Sequence, residues 1–171
     1  MTVPSSRIIF LVVALGCVFL MGVALFLEYA MELEPCPMCI FQRIAVIATG
    51  LIALFAAIHG PGIKGIRVYA GLGLATASAG AGLALRHLWL QSLPEDQVPA
   101  CGPSLDYLLD VFPLTEVLSM VLQGDGSCAE VLWSFMGLSI PGWLLVAFAG
   151  LMLICLFQLL RPSQSSQALL S

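Results

Sequence analysis

The stretch IIFLVVALGCVFLMGVALFL, residues 8–27, contains no charged side chain. A bilayer has a hydrocarbon core about 30 Å thick, which a helix of about 20 apolar residues crosses. Three further segments are long and apolar enough to do the same, residues 40–58, 68–88 and 140–160. Because backbone groups in lipid must be paired within the segment, each one predicts an α-helix. The sequence therefore predicts an all-α membrane protein, a bundle of four transmembrane helices.

The composition of the whole chain agrees with a membrane protein. Of the 171 residues, 60% are hydrophobic and 9% are charged, whereas a soluble domain carries about a quarter charged residues. Six Lys and Arg against ten Asp and Glu give a net charge of −4, and no basic patch offers a surface to nucleic acid. The composition excludes a soluble enzyme, a disordered chain and a nucleic-acid-binding protein. We expect one integral membrane domain over residues 1–171.

Basic residues near the predicted spans indicate the orientation. If the amino terminus is cytoplasmic, the cytoplasmic side receives Arg7, Lys64, Arg67 and Arg161, as the positive-inside rule favours. Both termini, including the tail 161–171, are then cytoplasmic, and the loops 28–39 and 91–139 are external. No small-x-small cleavage site follows the first span, so we expect a retained helix rather than a signal peptide.

The long external loop carries a short amphipathic segment. Its apolar residues recur at helical spacing, at Leu114, Val117, Leu118, Val121 and Leu122. Gly124 is expected to end this helix. Such a helix either lies flat in the membrane interface or covers the bundle, and the sequence favours neither alternative.

The six cysteines fall into two groups. Cys17 and Cys155 lie in the middle of predicted spans, where a thiol behaves as a small hydrophobe, and we expect both to serve packing. The other four lie in the external loops, where disulfides persist, at Cys36, Cys39, Cys101 and Cys128. Four cysteines allow three pairings. The short spacing within the C-x-x-C favours the disulfides Cys36–Cys39 and Cys101–Cys128.

A zinc site is the alternative for these four cysteines. Structural zinc sites usually draw their ligands from two closely spaced pairs. Cys36 and Cys39 form such a pair, but Cys101 and Cys128 are far apart in the sequence. The spacing therefore favours disulfides, and we predict no metal ligands.

The residues around the C-x-x-C, PCPMCIFQR at 35–43, have their own chemistry. Pro37 suits the first position of a helix, which places Cys39 in the first turn, where free N–H groups stabilise a thiolate. Arg43 lies one turn further along the same face. An arginine at this depth needs a partner: a thiolate, an acceptor carbonyl or a lipid phosphate. Its spacing from Cys39 favours catalysis over a purely interfacial role.

Together these features resemble the DsbB family of bacterial disulfide-generating membrane proteins. The resemblance covers nearly the whole chain and rests on four spans, a C-x-x-C at the start of the second span, Arg43 beyond it, and the pair Cys101 and Cys128 in the long loop. Three shorter stretches are also similar, namely His87 to Gln91, Cys128 to Glu130, and PGWLL at residues 141–145.

The resemblance implies an enzyme of the bacterial inner membrane, a thiol oxidase that generates disulfides and passes electrons to a quinone. Cys101 is expected to form a mixed disulfide with a DsbA-like, thioredoxin-fold partner in the periplasm, with Cys128 as its disulfide mate. Cys36 is expected to exchange with the loop cysteines, while Cys39 faces the quinone.

The resemblance also implies a quinone site, for ubiquinone or menaquinone. Arg43 is expected to polarise a quinone carbonyl and to stabilise the Cys39 thiolate. His87 and Gln91 are expected to line the same site. Gln42 departs from the pattern, since some relatives are expected to carry a carboxylate there.

An electron acceptor in the bilayer also follows from chemistry, because a new disulfide requires a two-electron sink. The chain has no Gly-rich nucleotide-binding fingerprint, and its external loops are too short for a flavin domain.

The sequence leaves two alternative functions open. One is a vitamin K epoxide reductase-like enzyme, although that family places its C-x-x-C late in the bundle. The other is a non-catalytic scaffold whose disulfides staple the external loops.

Overall fold

The computed structural model describes residues 5–100, 102 and 105–161. In chain order its elements are α1 (Ser6–Ala30), α2 (Pro37–His59), α3 (Ile63–Gln91), a 3-10 turn (Glu95–Gln97), α4 (Leu105–Val111), α5 (Leu114–Gln123), α6 (Gly126–Ala129), β1 (Ser134–Phe135), β2 (Leu138–Ser139) and α7 (Ile140–Leu160). The helices α1, α2, α3 and α7 are each long and apolar enough to cross a membrane. The predicted all-α membrane fold with four spans is confirmed.

The ends of the second helix follow from local sequence signals. Helix α2 begins at Pro37, as predicted, because proline lacks an N–H that the first turn would leave unpaired. It ends at His59 and is capped by Gly60, which has a φ of 58° and donates its N–H to the Ala56 carbonyl over 3.1 Å. Glycine adopts this left-handed conformation without steric cost. A tight turn to α3 follows.

Small residues set the close packing of the long helices. Helix α1 packs on α2, α2 on α3, and α3 on α7. A Cβ atom built on Gly80 of α3 would lie 2.2 Å from the ring of Phe148 in α7, so only glycine admits this contact. Cys17 packs against Gly50, and Cys155 against Gly73. Both thiols are buried, which supports the packing role expected for them.

The predicted helix in the long loop is present as α5 and ends before Gly124. Val117 and Val121 are buried in a second apolar cluster with Leu90 at the end of α3. The other apolar edge of α5 is exposed, at Leu114, Leu118 and Leu122. Helix α5 therefore covers the bundle with one face and leaves an apolar edge free on the other.

Arg86 holds α5 in place. Its guanidinium donates hydrogen bonds to the carbonyls of Leu122 (3.2 Å) and Gln123 (3.1 Å) and stacks 4.1 Å from the centre of the Trp89 ring. The last carbonyls of a helix lack partners within the helix, so a cation there satisfies them and complements the helix dipole.

A small β-hairpin before α7 was not predicted. Strands β1 and β2 are antiparallel, with Phe135 opposite Leu138. The turn residues Met136 and Gly137 have φ angles of 51° and 80°, the pair of positive φ values that a type I′ turn requires. The Trp143 indole N–H donates to the Phe135 carbonyl over 3.1 Å. The hairpin thereby places aromatic side chains beside the start of α7.

Candidate active site

Cys36 and Cys39 lie together at the start of α2. Cys36 is the N-cap residue, and its sulfur accepts the Cys39 N–H over 3.4 Å. The two Sγ atoms are 3.0 Å apart, with the Cys36 thiol donating. This is a hydrogen-bond distance between two thiols, so the predicted Cys36–Cys39 disulfide stays a prediction. Cys36 is buried and Cys39 is half-buried.

The long loop brings Cys128 onto this pair. Cys128 lies in α6, whose N-cap Asp125 accepts the Cys128 N–H over 3.2 Å. The sulfurs of Cys36 and Cys128 and the Nε2 atom of His87 all lie within 4.8 Å of one another. A hydrogen bond to Cys36 and burial raise the pKa of the Cys128 thiol. Cys101 lies outside the described residues, so its predicted disulfide with Cys128 stays a prediction.

His87 is buried beside the cysteines, with 2% of its surface exposed. Its Nε2 atom lies 3.9 Å from the Cys36 sulfur, and its Nδ1 atom lies 3.3 Å from the side-chain nitrogen of Gln42. The resemblance implied that His87 lines the site and marked Gln42 only as a departure from the family pattern. Because a polar side chain on an apolar span needs a partner, the position of Gln42 in the second span is the sequence signal that could have predicted this buried contact.

Arg43 has a partner that the sequence analysis missed. Its guanidinium pairs with the carboxylate of Glu28 near the end of α1 and donates to the Ala24 carbonyl over 3.4 Å. The candidates considered from the sequence were a thiolate, a carbonyl and a lipid phosphate. The sequence placed Glu28 in the external loop, just beyond the first span, whereas helix α1 continues to Ala30 and brings the carboxylate to Arg43. The available signal was that an arginine just inside a span needs a partner.

A cavity of about 740 Å³ joins the predicted acceptor residues. It is lined by Cys36, Cys39, Arg43, His87 and Gln91. Its other walls are mainly apolar and include the aromatic side chains of Phe19, Phe26, Trp133, Phe135 and Trp143. All residues expected to face an acceptor therefore line one space.

Gln91 links this cavity to the hairpin. Its side-chain oxygen accepts the Ser139 hydroxyl over 2.7 Å, and its nitrogen donates to the Glu130 carbonyl over 3.5 Å. These bonds fix the end of α3 against the segment that carries Trp133 and Phe135. Gln91 thus helps to position the aromatic wall as well as lining the cavity.

A second, smaller cavity of about 190 Å³ lies on the loop side of the cysteines. Its walls include Pro37, Leu108, Met120, Asp125 and Cys128. Cys36 lines the larger cavity and Cys128 the smaller one. Cys36 and Cys128 therefore lie between the two cavities, one facing each.

Comparison with known proteins decides the family. A family model described as Disulfide bond formation protein DsbB matches residues 6–158. The chain belongs to the DsbB family. Proteins named Disulfide bond formation protein B are similar throughout. The one from Hahella chejuensis is 54% identical over 157 residues, 92% of this chain and 95% of the relative. That from Saccharophagus degradans is 52% identical over 160 residues, 94% and 96% of the two chains. That from Stutzerimonas stutzeri is 48% identical over 161 residues, 94% and 99%.

Membership in the DsbB family establishes the general function. The chain is a bacterial multi-pass membrane protein of disulfide bond formation, with an oxidoreductase role. This assignment argues against both the vitamin K epoxide reductase-like enzyme and the static scaffold. The clustered thiols of this DsbB-family protein are the groups that such chemistry requires.

Proposed function

We propose that this protein is a quinone-dependent thiol oxidase, which makes disulfides and reoxidises a periplasmic thioredoxin-fold dithiol oxidase of the DsbA type. One observation carries the proposal. Cys36 contacts Cys39 at 3.0 Å and has the Cys128 sulfur within 4.8 Å. A thiol that touches a partner on each side is placed to relay a disulfide between them.

The donor end of the path is the loop pair. A thiolate of the reduced partner attacks the Cys101–Cys128 disulfide at Cys101, forms a mixed disulfide there and releases Cys128. The second thiolate of the partner then attacks the mixed disulfide, which leaves the partner oxidised and Cys101 reduced. The small cavity beside Cys128 provides space on this side of the site.

The next exchange moves the electrons inward. The Cys128 thiolate attacks the Cys36–Cys39 disulfide at Cys36, forms a Cys36–Cys128 bond and expels Cys39 as a thiolate. The free N–H groups of the first turn of α2 stabilise that leaving group. Cys101 then attacks Cys128 and frees Cys36.

The large cavity fits a quinone. Its volume of about 740 Å³ lies within the range of about 300–1,000 Å³ usual for small-molecule sites. Mainly apolar walls suit a ring and its lipid tail, while Arg43, His87 and Gln91 offer donors for carbonyl oxygens. The quinone supplies a sink for the two electrons and two protons released when Cys36 and Cys39 form their disulfide.

The charge distribution supports the proposed orientation in the inner membrane. Arg7 donates to the Ala57 carbonyl over 3.1 Å, and Arg161 donates to the Ser6 hydroxyl over 3.1 Å. Both lie at the end of the bundle away from the cysteine loops, and Arg7 also lies beside Gly60 in the α2–α3 turn. The positive-inside rule assigns this end to the cytoplasm. Both termini are then cytoplasmic, and the cysteine loops are periplasmic.

The test is quinone reduction by the purified, detergent-solubilised protein. Reduced DsbA-like partner is added, and the absorbance of ubiquinone or menaquinone is followed. We expect Cys39→Ser and Cys101→Ser to abolish the reaction and Arg43→Ala to slow it about tenfold or more. Cys17→Ser is the matched control and keeps the wild-type rate. If either cysteine variant still drives partner-dependent quinone reduction, the proposed electron path is wrong.

A further inference from the structure

Three metal-ligating side chains converge from three different elements of the described chain. Cys36 caps α2, His87 belongs to α3 and Cys128 lies in α6. Their Sγ, Nε2 and Sγ atoms all lie within 4.8 Å of one another, and the Cys36–His87 distance is 3.9 Å. The three side chains are 8%, 2% and 1% exposed. This cluster has the donor types and the proximity of a metal site.

We propose that the reduced protein binds one Zn²⁺ ion through Cys36, His87 and Cys128. Zinc takes thiolate and imidazole ligands at about 2.3 and 2.0–2.1 Å in a tetrahedral arrangement, which places neighbouring ligand atoms about 3.6–3.8 Å apart. The observed separations require only small side-chain rotations to reach this geometry. Sulfur and imidazole donors disfavour Mg²⁺ and Ca²⁺, which prefer oxygen. Three protein ligands would leave one tetrahedral position to a further ligand.

Gln42 supplies the outer contact that such a site needs. A metal-bound imidazole usually donates its other ring N–H to a nearby acceptor, which fixes the tautomer. The Gln42 side-chain amide lies 3.3 Å from Nδ1 of His87 and is 1% exposed. After a half-turn of this amide, its oxygen accepts the Nδ1 proton and leaves the Nε2 lone pair facing Cys36. Gln42, which the sequence analysis noted only as a departure from the family pattern, thereby orients the ligand.

The site exists only in the reduced protein. Binding releases one proton from each of Cys36 and Cys128 and transfers no electrons. Any disulfide at either cysteine removes a ligand. On the proposed function, Zn²⁺ therefore competes with thiol–disulfide exchange and holds the enzyme in its reduced form. The ion acts here as a reversible inhibitor, so the proposal does not require a resident metal cofactor.

Direct binding tests the site without quinone or partner. Reduced protein, freed of reductant under anaerobic conditions, competes for Zn²⁺ with a chromophoric chelator. We expect one ion per chain and binding at least a hundredfold weaker to the oxidised protein. Cys128→Ser and His87→Gln each weaken binding at least tenfold, and Gln42→Leu weakens it about 10- to 100-fold. The control Cys17→Ser keeps the wild-type affinity.

Cobalt gives a second measurement that reports the ligands themselves. Co²⁺ in place of Zn²⁺ shows thiolate-to-metal charge transfer, whose intensity we expect to fall by about half in Cys128→Ser. Three outcomes overturn the site: no stoichiometric binding, equal binding by the oxidised protein, or loss in Cys39→Ser with retention in His87→Gln. The last would indicate a cysteine-only site. Quinone reduction without zinc reports separately on the proposed function.

Discussion

One ion pair compensates the charge that lies beside the larger cavity. Arg43 lines the cavity and pairs with Glu28. The side chains of Arg43 and Glu28 are 19% and 24% exposed, respectively, so water screens the pair only partly. Removing one partner of such a pair leaves the other charge poorly solvated. Glu28 therefore compensates the Arg43 charge and orients the guanidinium at the cavity wall.

A double-mutant cycle measures this pair. We expect Glu28→Gln and Arg43→Gln each to lower the free energy of unfolding by about 1–3 kcal/mol, between the values for exposed and buried pairs. The double variant should lose less than the sum of the two. Denaturant titration in detergent micelles gives the three values. Strict additivity would mean that the two side chains do not interact.

The raised pKa of Cys128 predicts its reactivity. In the reduced protein, the hydrogen bond to Cys36 and burial stabilise the neutral thiol. Iodoacetamide reacts with the thiolate, so alkylation of Cys128 should be slow at neutral pH. It should keep rising with pH beyond about 8.5, where an ordinary cysteine begins to level off. Mass spectrometry of the Cys128 peptide follows the rate.

Variants at Cys36 separate the two causes of the raised Cys128 pKa, the hydrogen bond to Cys36 and burial. Cys36→Ala removes the hydrogen-bond partner, so the rise in alkylation should level off at lower pH. Cys36→Ser keeps a hydroxyl acceptor and should preserve most of the wild-type profile. A profile for wild-type Cys128 that levels off like that of a free cysteine would contradict the structure.

Sequence reasoning reached the residues of the site but not all of their contacts. The C-x-x-C is recognisable as a motif, and Arg43 follows Cys39 at the spacing of one helical turn. The contact of Cys36 with Cys128 joins positions far apart in the chain, and no local pattern encodes it. Gln42 was visible only as a polar group on an apolar span, a signal that requires a partner without identifying it. Glu28 was predicted to lie in the external loop 28–39, so nothing in the sequence marked it as the partner of Arg43.

At the scale of elements, apolar length predicted the spans and left the helix ends open. Helix α3 runs from Ile63 to Gln91, several residues beyond the predicted 68–88, because polar residues at the membrane surface continue a helix without an apolar signal. Strands β1 and β2 each contain two residues, too few to show the alternation of a strand. Short elements held by tertiary contacts escape such patterns.

Close packing of α3 on α7 predicts unequal effects of two glycines. Gly80→Ala places a methyl group against the Phe148 ring, and we expect a loss of about 1–3 kcal/mol in unfolding free energy from overpacking. Gly82→Ala is the matched control, since nothing lies within 4 Å of its added Cβ. It should be neutral or slightly stabilising. Equal effects at both positions would show that α3 and α7 do not meet at Gly80.

At the scale of the whole molecule, the fold places the cluster of Cys36, Cys39 and Cys128 between two cavities. The bundle positions Cys36 and Cys39 at the mouth of the larger one, and Arg86 anchors the loop helix α5 near the other. The four-span prediction and the membership in the DsbB family agree on this plan. The loop's docking depends on buried contacts of Val117 and Val121, which amphipathic spacing predicted without identifying the surface they cover.

The central claim is that disulfides pass between Cys128 and Cys36 on the way to Cys39. It is tested most directly by mapping disulfides in a Cys39→Ser variant oxidised through its partner and then quenched with acid. In this variant the free Cys36 thiolate attacks the Cys101–Cys128 disulfide at Cys128 and releases Cys101. Because no Cys39 thiol is present to attack Cys36 in turn, we expect a peptide pair linked by Cys36 and Cys128 to accumulate. Cys39→Ser combined with Cys128→Ser is the control and should lack this pair. If the single variant gives only Cys101–Cys128 and free Cys36, the relay through Cys36 is contradicted.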